Sequence, residues 1–66
     1  MEFNERLREL REEKEMLQRQ LGELLQVQQA TVSAWEKGKA EPPIDILKKI
    51  AEIFGCDVNY LVGFAD

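Results

Sequence analysis

The side chains that most often perform catalysis are nearly absent from this sequence of 66 residues. It contains no histidine, the residue best suited to proton transfer near neutral pH, and its only cysteine is Cys56. One cysteine and scattered carboxylates cannot form a tetrahedral zinc site, and no glycine-rich phosphate loop occurs. We interpret Cys56 as an inert core residue because its neighbours, "IFGCDV", are mostly apolar. The inventory predicts a binding module that uses no metal or cofactor, rather than an enzyme.

Two adjacent glutamines, Gln28 and Gln29, can perform a different kind of chemistry. A glutamine amide can form two hydrogen bonds to an adenine edge in the DNA major groove, and an alanine can contact the methyl group of thymine. Both residue types occur on one side of a predicted helix, opposite Val32 and Trp35, which we interpret as core residues. The outward side chains are Gln28, Gln29, Ala30, Ser33, Ala34 and Lys37. This set predicts a surface that suits a major groove.

The length and composition indicate one small soluble domain, residues 1–66. Apolar residues make up 44% of the chain and charged residues 33%, which is typical of a globular protein. No apolar run approaches the roughly 18 residues that a membrane-spanning helix needs. The N-terminal stretch "MEFNERLREL" is charged from its second residue and is unlike a secretory signal. We therefore expect a cytoplasmic protein that does not contact a membrane.

The formal net charge of -4 is a poor match to DNA, because DNA affinity comes largely from neutralising phosphates. The charge is unevenly distributed, however. Residues 17–39 carry three basic and two acidic side chains, a sum of +1, whereas residues 1–16 sum to -2 and residues 40–66 to -3. We expect DNA binding that weakens steeply with salt and that depends on two protomers.

Helical periodicity extends along nearly the whole chain, and no strand-like alternation occurs. An apolar stripe from Asn4 to about Gln26 predicts one helix or two, and its leucines are Leu7, Leu10, Leu17, Leu21, Leu24 and Leu25. The pattern continues to Gly38, which predicts a helix end. A further helix begins after Pro42 and Pro43, with an apolar face of Ile44, Leu47, Ile50, Ala51 and Phe54.

Short polar and glycine residues delimit a last helix. Gly55 stops the preceding helix, Asp57 can cap the next one, and Gly63 ends it. The predicted core contacts of this short helix are Val58, Leu61 and Val62. The whole pattern predicts an all-α fold of several short helices joined by tight turns.

Three stretches, "LRELREEK", "QRQLGELLQVQQATVSAWEKGKAEP" and "LKKIAEIFGCDVNYLVG", resemble the phage-repressor and Cro-like helix-turn-helix domains. The resemblance covers residues 3 to about 63 without insertion or deletion. It implies a compact, lambda-repressor-like bundle of five short helices. It also implies sequence-specific binding of double-stranded DNA by a transcriptional regulator, most simply a repressor, with the third helix in the major groove.

The resemblance further implies roles for individual residues. Gln29 lies at the position that contacts a base, and the neighbouring base-facing positions are Gln28, Ala30, Ser33 and Ala34. Gln18 would bond both a phosphate and the Gln29 side chain. The phosphate-contacting set is Gln18, Arg19, Thr31, Lys37 and Lys39. Arg11 would pair with Glu36 inside the fold, and the protein would bind as a homodimer to a pseudo-palindromic site.

Four turn residues of the family are replaced in this sequence. Glu15 and Gln26 stand where the family usually has glycine, and Leu17 and Gln28 stand where it usually has a capping serine or threonine. Each change weakens a helix end by about 1 kcal/mol. An unbroken heptad pattern, with only Lys14 disturbing its apolar stripe, also runs across the first of these turns through Phe3, Leu7, Leu10, Lys14, Leu17, Leu21 and Leu24.

These replacements leave a second function class open. One long helix from about residue 4 to residue 25 would make the chain a protein-interaction module that forms a swapped or coiled dimer. A third alternative, an antitoxin-like regulator, shares the helix-turn-helix fold. An apolar outer face would favour it, and none is evident in the sequence.

Overall fold

The computed structural model describes residues 1–64, and this part of the chain forms five α-helices and no strand. In chain order they are α1 (Phe3–Glu13), α2 (Gln18–Leu25), α3 (Gln29–Glu36), α4 (Ile44–Phe54) and α5 (Val58–Leu61). The all-α prediction and the number of helices are confirmed. The continuous helix over residues 4–25 is wrong, because the chain leaves α1 and turns before α2 begins. The fused-helix dimer that depended on it loses its structural basis.

All five helices end in the same backbone conformation. One or two residues beyond the last residue of each helix, φ is positive: 52° at Glu15, 60° at Gln26, 74° at Gly38, 67° at Gly55 and 82° at Gly63. The next N–H then donates to a carbonyl of the last turn, as Val27 does to Gly22 at 2.8 Å. A residue with a side chain adopts this conformation at a cost of about 1 kcal/mol. Glu15 and Gln26 therefore form glycine-type turns without glycine.

The helix starts differ in how well they are capped. Asp57 caps α5 as predicted, since its Oδ1 accepts from the N–H of Tyr60 at 2.8 Å. Leu17, at the start of α2, has no side-chain acceptor. Its own N–H instead donates to Gln20 Oε1 at 2.7 Å, which is the reciprocal half of a capping box. This contact offsets part of the weakness expected at Leu17.

A single core joins the helices, with α3 packed against α1 and α2, and α4 against α2 and α5. Trp35 is buried in it, which confirms the core interpretation. Gly22 brings α2 close to the following turn, because a Cβ placed there would lie 2.7 Å from the carbonyl oxygen of Val27. The buried apolar residues are Leu7, Leu21, Leu25, Val32, Trp35, Ile50, Ala51, Phe54 and Leu61.

Four residues predicted to face the core lie at the surface instead. The exposed fractions are 56% for Leu17, 58% for Leu24, 59% for Ile44 and 37% for Val62. The buried side of α2 is formed by Leu21, Gly22 and Leu25. Leu24, and Leu17 just before the helix, lie on the opposite side of Leu21 around the helix axis and are therefore exposed. A heptad pattern cannot show this, because it assumes one straight helix.

No helix within residues 1–64 has both the length and the apolar character needed to cross a membrane.

Candidate nucleic-acid interface

Helix α3 has one buried side and one polar side. Val32, Trp35 and Glu36 are buried against the rest of the fold. The proposed base-facing residues occupy the other side: Gln28, Gln29 and Ala30 are exposed, and Ser33 and Ala34 are half-buried. Thr31 is also half-buried. The outward set predicted from the sequence therefore lies at the surface at least in part.

The start of α3 keeps its glutamine side chains at the surface. Gln28 is the N-cap residue, with an extended backbone, and its side chain forms no capping hydrogen bond. Its carbonyl oxygen accepts from the N–H groups of Thr31 and Val32 at 3.0 and 3.3 Å, so the backbone alone begins the helix. The missing serine cap leaves the Gln28 amide outside the helix.

An open depression lies between the start of α2 and the start of α3. The residues that line it are Arg11, Leu17, Gln18, Arg19 and Gln29. Two glutamines and two arginines from three helices thus face one surface site, although they are far apart in the sequence. Amide and guanidinium groups can donate hydrogen bonds to phosphate oxygens.

Arg11 and Glu36 form the ion pair behind this depression. Arg11 Nε donates to Glu36 Oε2 at 2.7 Å and Nη2 donates to Oε1 at 3.0 Å, a bidentate arrangement. The third guanidinium nitrogen, Nη1, donates to the carbonyl oxygen of Met16 at 2.7 Å. One arginine thereby connects α1, the turn before α2, and the end of α3.

The side chain of Gln18 also belongs to this network. Its Nε2 donates to Glu36 Oε1 at 3.1 Å, so the predicted bond to Gln29 would have to use the other N–H or the oxygen of the Gln18 amide. A carboxylate is a stronger acceptor than an amide oxygen, which explains why the Gln18 NH₂ group faces Glu36. Arg8 adds a second positive charge, with its Nε 3.6 Å from Glu36 Oε1. Neither contact has a local sequence signal, because the partners of Glu36 lie on two other helices.

The environment of Glu36 changes the ionisation of both partners of the pair. Burial raises the pKa of Glu36, but the hydrogen bonds from Arg11 and Gln18, together with the charges of Arg11 and Arg8, outweigh burial and hold it below its ordinary value. The hydrogen bond to Glu36 raises the pKa of Arg11. The pair is therefore ionised, and Glu36 acts only as an acceptor near neutral pH.

The predicted basic contacts lie at opposite ends of α3. Arg19 is exposed near the start of α3, whereas Lys37 and Lys39 are exposed just beyond its end. Eight residues of α-helix span about 12 Å between them. The turn at Gly38 positions the second lysine, whose N–H donates to the carbonyl of Ala34 at 2.9 Å. Positive charge thus flanks the polar side of α3 rather than forming one patch.

Other reactive groups have surroundings that favour a structural role. Cys56 is half-buried against the core, and its burial, with the nearby charge of Asp57, raises the pKa of its thiol. A raised pKa keeps the thiol protonated and weakly nucleophilic. Within residues 1–64, no three or more histidine, cysteine or carboxylate side chains are grouped so that they could hold a metal.

Comparison with known proteins identifies the family. A sequence model described as helix-turn-helix matches residues 7–61. This chain belongs to the helix-turn-helix family. The family resemblance inferred from the motif residues is therefore confirmed.

Two curated helix-turn-helix proteins are similar to the chain over almost its whole length. It is 42% identical over 63 residues to the HTH-type transcriptional activator BcrR of Enterococcus faecalis, and 29% identical over 64 residues to the uncharacterized HTH-type transcriptional regulator YobD of Bacillus subtilis (strain 168). These matches cover 96% and 97% of the chain. The chain spans only 31% of the length of the first relative and 57% of the second.

Two solved structures have the same fold as this chain. The P22 c2 repressor in complex with a synthetic operator superposes with a TM-score of 0.90 at 26% identity, covering 97% of both chains. A transcriptional regulator from Listeria innocua superposes with a TM-score of 0.93 at 34% identity, covering 98% of this chain and 61% of that one. The lambda-repressor-like fold predicted from the sequence is confirmed.

Proposed function

We propose that this helix-turn-helix domain binds double-stranded DNA sequence-specifically as part of a transcriptional regulator, with α3 in the major groove and α2 across the backbone. The observation that carries the proposal is the polar outer side of α3 beside the depression at the start of α2. The superposition of this domain on the P22 c2 repressor in complex with a synthetic operator, with a TM-score of 0.90, supports the proposal. A major groove about 12 Å wide accommodates one α-helix.

The first turn of α3 would supply the base contacts. Gln29, exposed at the edge of the depression, would bond the N6 and N7 edge of an adenine. Gln28 and Ala30 flank it, and Ser33 and Ala34 lie one turn further along. The two alanines would contact thymine methyl groups, since they have no polar atom on the side chain.

The phosphate contacts would hold α3 in register on the duplex. Gln18 and Arg19 would contact one phosphate group from the start of α2, and Thr31 would contribute from α3. Lys37 and Lys39 would contact the backbone beyond the other end of α3. Such contacts carry no sequence information but supply most of the affinity and its salt dependence.

The assembly on DNA would be a homodimer on a pseudo-palindromic site. One domain offers few base contacts and the chain is acidic, so two protomers would be needed for useful affinity. That the protein represses transcription, rather than activating it, stays a prediction. The relative with 42% identity is named an activator, whereas the P22 c2 structural match is a repressor. We also propose that the protein is cytoplasmic, as predicted from the sequence.

Selection from random duplex DNA would test the proposal. We expect one enriched motif with two half-sites about one helical turn apart, 10–10.5 base pairs between centres. Binding to it should weaken as salt increases, with a slope proportional to the number of phosphates contacted. Sedimentation of the complex should give two protomers per site. Recovery of unenriched sequences under low-salt conditions would contradict the proposal.

A further inference from the structure

The Glu36 carboxylate is hydrogen-bonded to a residue of the proposed DNA-binding surface. It accepts a hydrogen bond from Gln18, which lines the same depression as Gln29. We propose that Glu36 is a positioning residue that fixes the amide orientation of Gln18, and through it that of Gln29, so that adenine is preferred to guanine at one position of the DNA site. This inference rests on the proposed function and adds a specificity determinant to it.

The orientation of the Gln18 amide follows from the chemistry of Glu36. The Glu36 side chain is 0% exposed and ionised, so it can only accept hydrogen bonds. The bidentate contact with Arg11 holds it in place, and Arg11 is itself held by the carbonyl of Met16. Gln18 must therefore turn its NH₂ group toward Glu36 Oε1. Rotating the amide by half a turn would bring two oxygen acceptors together.

A fixed Gln18 amide constrains the groups that remain for its neighbours. One of its N–H groups donates to Glu36, which leaves the other N–H free to donate to a phosphate and Oε1 free to accept. On DNA, Gln29 would bond that acceptor through its own NH₂ group, because only this part of its side chain can donate to an oxygen. Gln29 would then keep one N–H and its Oε1 for the DNA base.

That remaining pair of groups matches adenine and not guanine. Adenine offers an N7 acceptor and an N6 donor, which complement one N–H and one oxygen. Guanine offers two acceptors, O6 and N7, so the Gln29 oxygen would face the guanine oxygen. A Gln29 amide that could rotate freely would be able to present both of its N–H groups to guanine. By fixing the orientation of the two amide groups, Glu36 would thus make Gln29 select adenine over guanine.

Binding measurements on matched duplexes would test this selectivity. The readout is the ratio of affinities for the selected site and for the same site with guanine at the adenine contacted by Gln29. We expect a ratio of about 5 to 150 for the parent protein. It should fall about fivefold or more in Glu36→Gln, whose amide can donate to Gln18 Oε1. A purely structural defect would weaken binding to both duplexes by the same factor and leave the ratio unchanged.

Two further variants make the binding test specific. Gln18→Leu leaves the Arg11–Glu36 pair in place and should lower the same ratio, so it serves if Glu36→Gln fails to fold. Glu52→Gln makes the same charge change at an exposed site on α4 and should keep the parent ratio. An unchanged ratio in both Glu36→Gln and Gln18→Leu, with the selected motif intact, would overturn the inference but not the proposed function.

A measurement on the protein without DNA tests the first step by itself. The Gln18 side-chain amide can be assigned in a ¹H–¹⁵N spectrum by its loss in Gln18→Leu. We expect one of its protons to be shifted and slow to exchange with solvent in the parent, and both features to be lost in Glu36→Gln. An amide signal that does not respond to Glu36→Gln would overturn the inference directly. If the parent selects no DNA motif, the proposed function fails, and the base-selectivity inference fails with it.

Discussion

Arg11 and Glu36 are joined by two hydrogen bonds, of 2.7 and 3.0 Å, although they are 25 positions apart in the chain. The pair connects α1 to the end of α3 and is shielded from solvent, with the Glu36 side chain 0% exposed and that of Arg11 12% exposed. The same carboxylate also accepts from Gln18 at the start of α2. It therefore fixes the relative positions of the three helices that surround the proposed DNA-binding surface.

Breaking this ion pair should cost more than breaking an exposed one. Removal of one partner leaves an uncompensated buried charge, so Arg11→Met and Glu36→Gln should each lower the free energy of unfolding by about 3 kcal/mol. The double variant should lose less than the sum of the two, because it leaves neither charge unpaired. Denaturant melts of the four proteins measure this coupling. Losses below about 1 kcal/mol that simply add would show an ordinary surface pair.

The same pair predicts how stability depends on pH. The folded protein holds the pKa of Glu36 below its ordinary value of 4.5, so its contribution is fully present above that pH. The contribution is lost as the pH falls below 4.5 and through the lower pKa of the folded state. The stability difference between the parent and Glu36→Gln should therefore shrink on acidification in this range. Thermal melts between pH 7 and pH 2 measure it, and a difference that stays constant would contradict the assigned pKa direction.

Base contacts and phosphate contacts should respond differently to mutation. Gln29→Ala should lose about 1–3 kcal/mol of binding free energy on the preferred site and relax the preference at one base position. Lys37→Ala should weaken binding to all sequences alike and reduce the salt slope by about 1. Titrations of each variant on preferred and random duplexes at several salt concentrations separate the two effects. A Gln29→Ala protein with the parent's preference and affinity would rule out the base-contact assignment.

The close approach of α2 to the following turn predicts a steric effect at Gly22. A Cβ at this position would lie 2.7 Å from the backbone oxygen of Val27, and backbone cannot move aside as a flexible side chain can. Gly22→Ala should therefore lower the free energy of unfolding by about 1–3 kcal/mol, despite the better helix propensity of alanine. A control, Glu23→Ala, adds an alanine at the neighbouring exposed position. Equal melting temperatures for Gly22→Ala and the control would contradict the observed contact.

Much of the fold could be predicted because several helix ends carry their own signals. Gly38, Gly55 and Gly63 mark three of the five helix ends, and Asp57 marks a start. The end of α1 could not be located in this way. Glu15 is a helix former by propensity, yet its φ is 52° and the N–H of the next residue, Met16, donates back to the carbonyl of Arg11. The heptad pattern across it therefore favoured one long helix.

The candidate site was predictable as a set of residues but not as a network. The outward residues of α3 follow from helical periodicity, and the Arg11–Glu36 pair follows from the family resemblance. The bond from Gln18 to Glu36 could not be predicted, because it depends on the side chains of two helices meeting at 3.1 Å. Leu17 and Leu24 show the same limit for burial, since an apolar period does not determine which flank of a helix faces the core.

The substituted turn residues predict that the natural sequence is less stable than its fold allows. Gln26→Gly should remove the strain of a φ of 60° and gain less than about 1 kcal/mol, because glycine also frees the unfolded chain. Leu17→Thr should gain about 0.5–1 kcal/mol, since a threonine oxygen could accept from the N–H of Gln20 and complete the capping box. Leu17 is exposed, so its replacement sacrifices little core packing. Thermal and denaturant melts of the single and double variants measure these gains.

Sedimentation of the same double variant decides whether the turns also determine the assembly state. Because α1 and α2 are already separate helices, the two substitutions strengthen turns that exist and should leave the size of the DNA-free protein unchanged across a concentration series. A fused helix would respond in the opposite way, because glycine and a cap would break it and shift a dimer toward monomer. A stability gain without a change in size would leave the compact helix-turn-helix as the only arrangement consistent with both measurements.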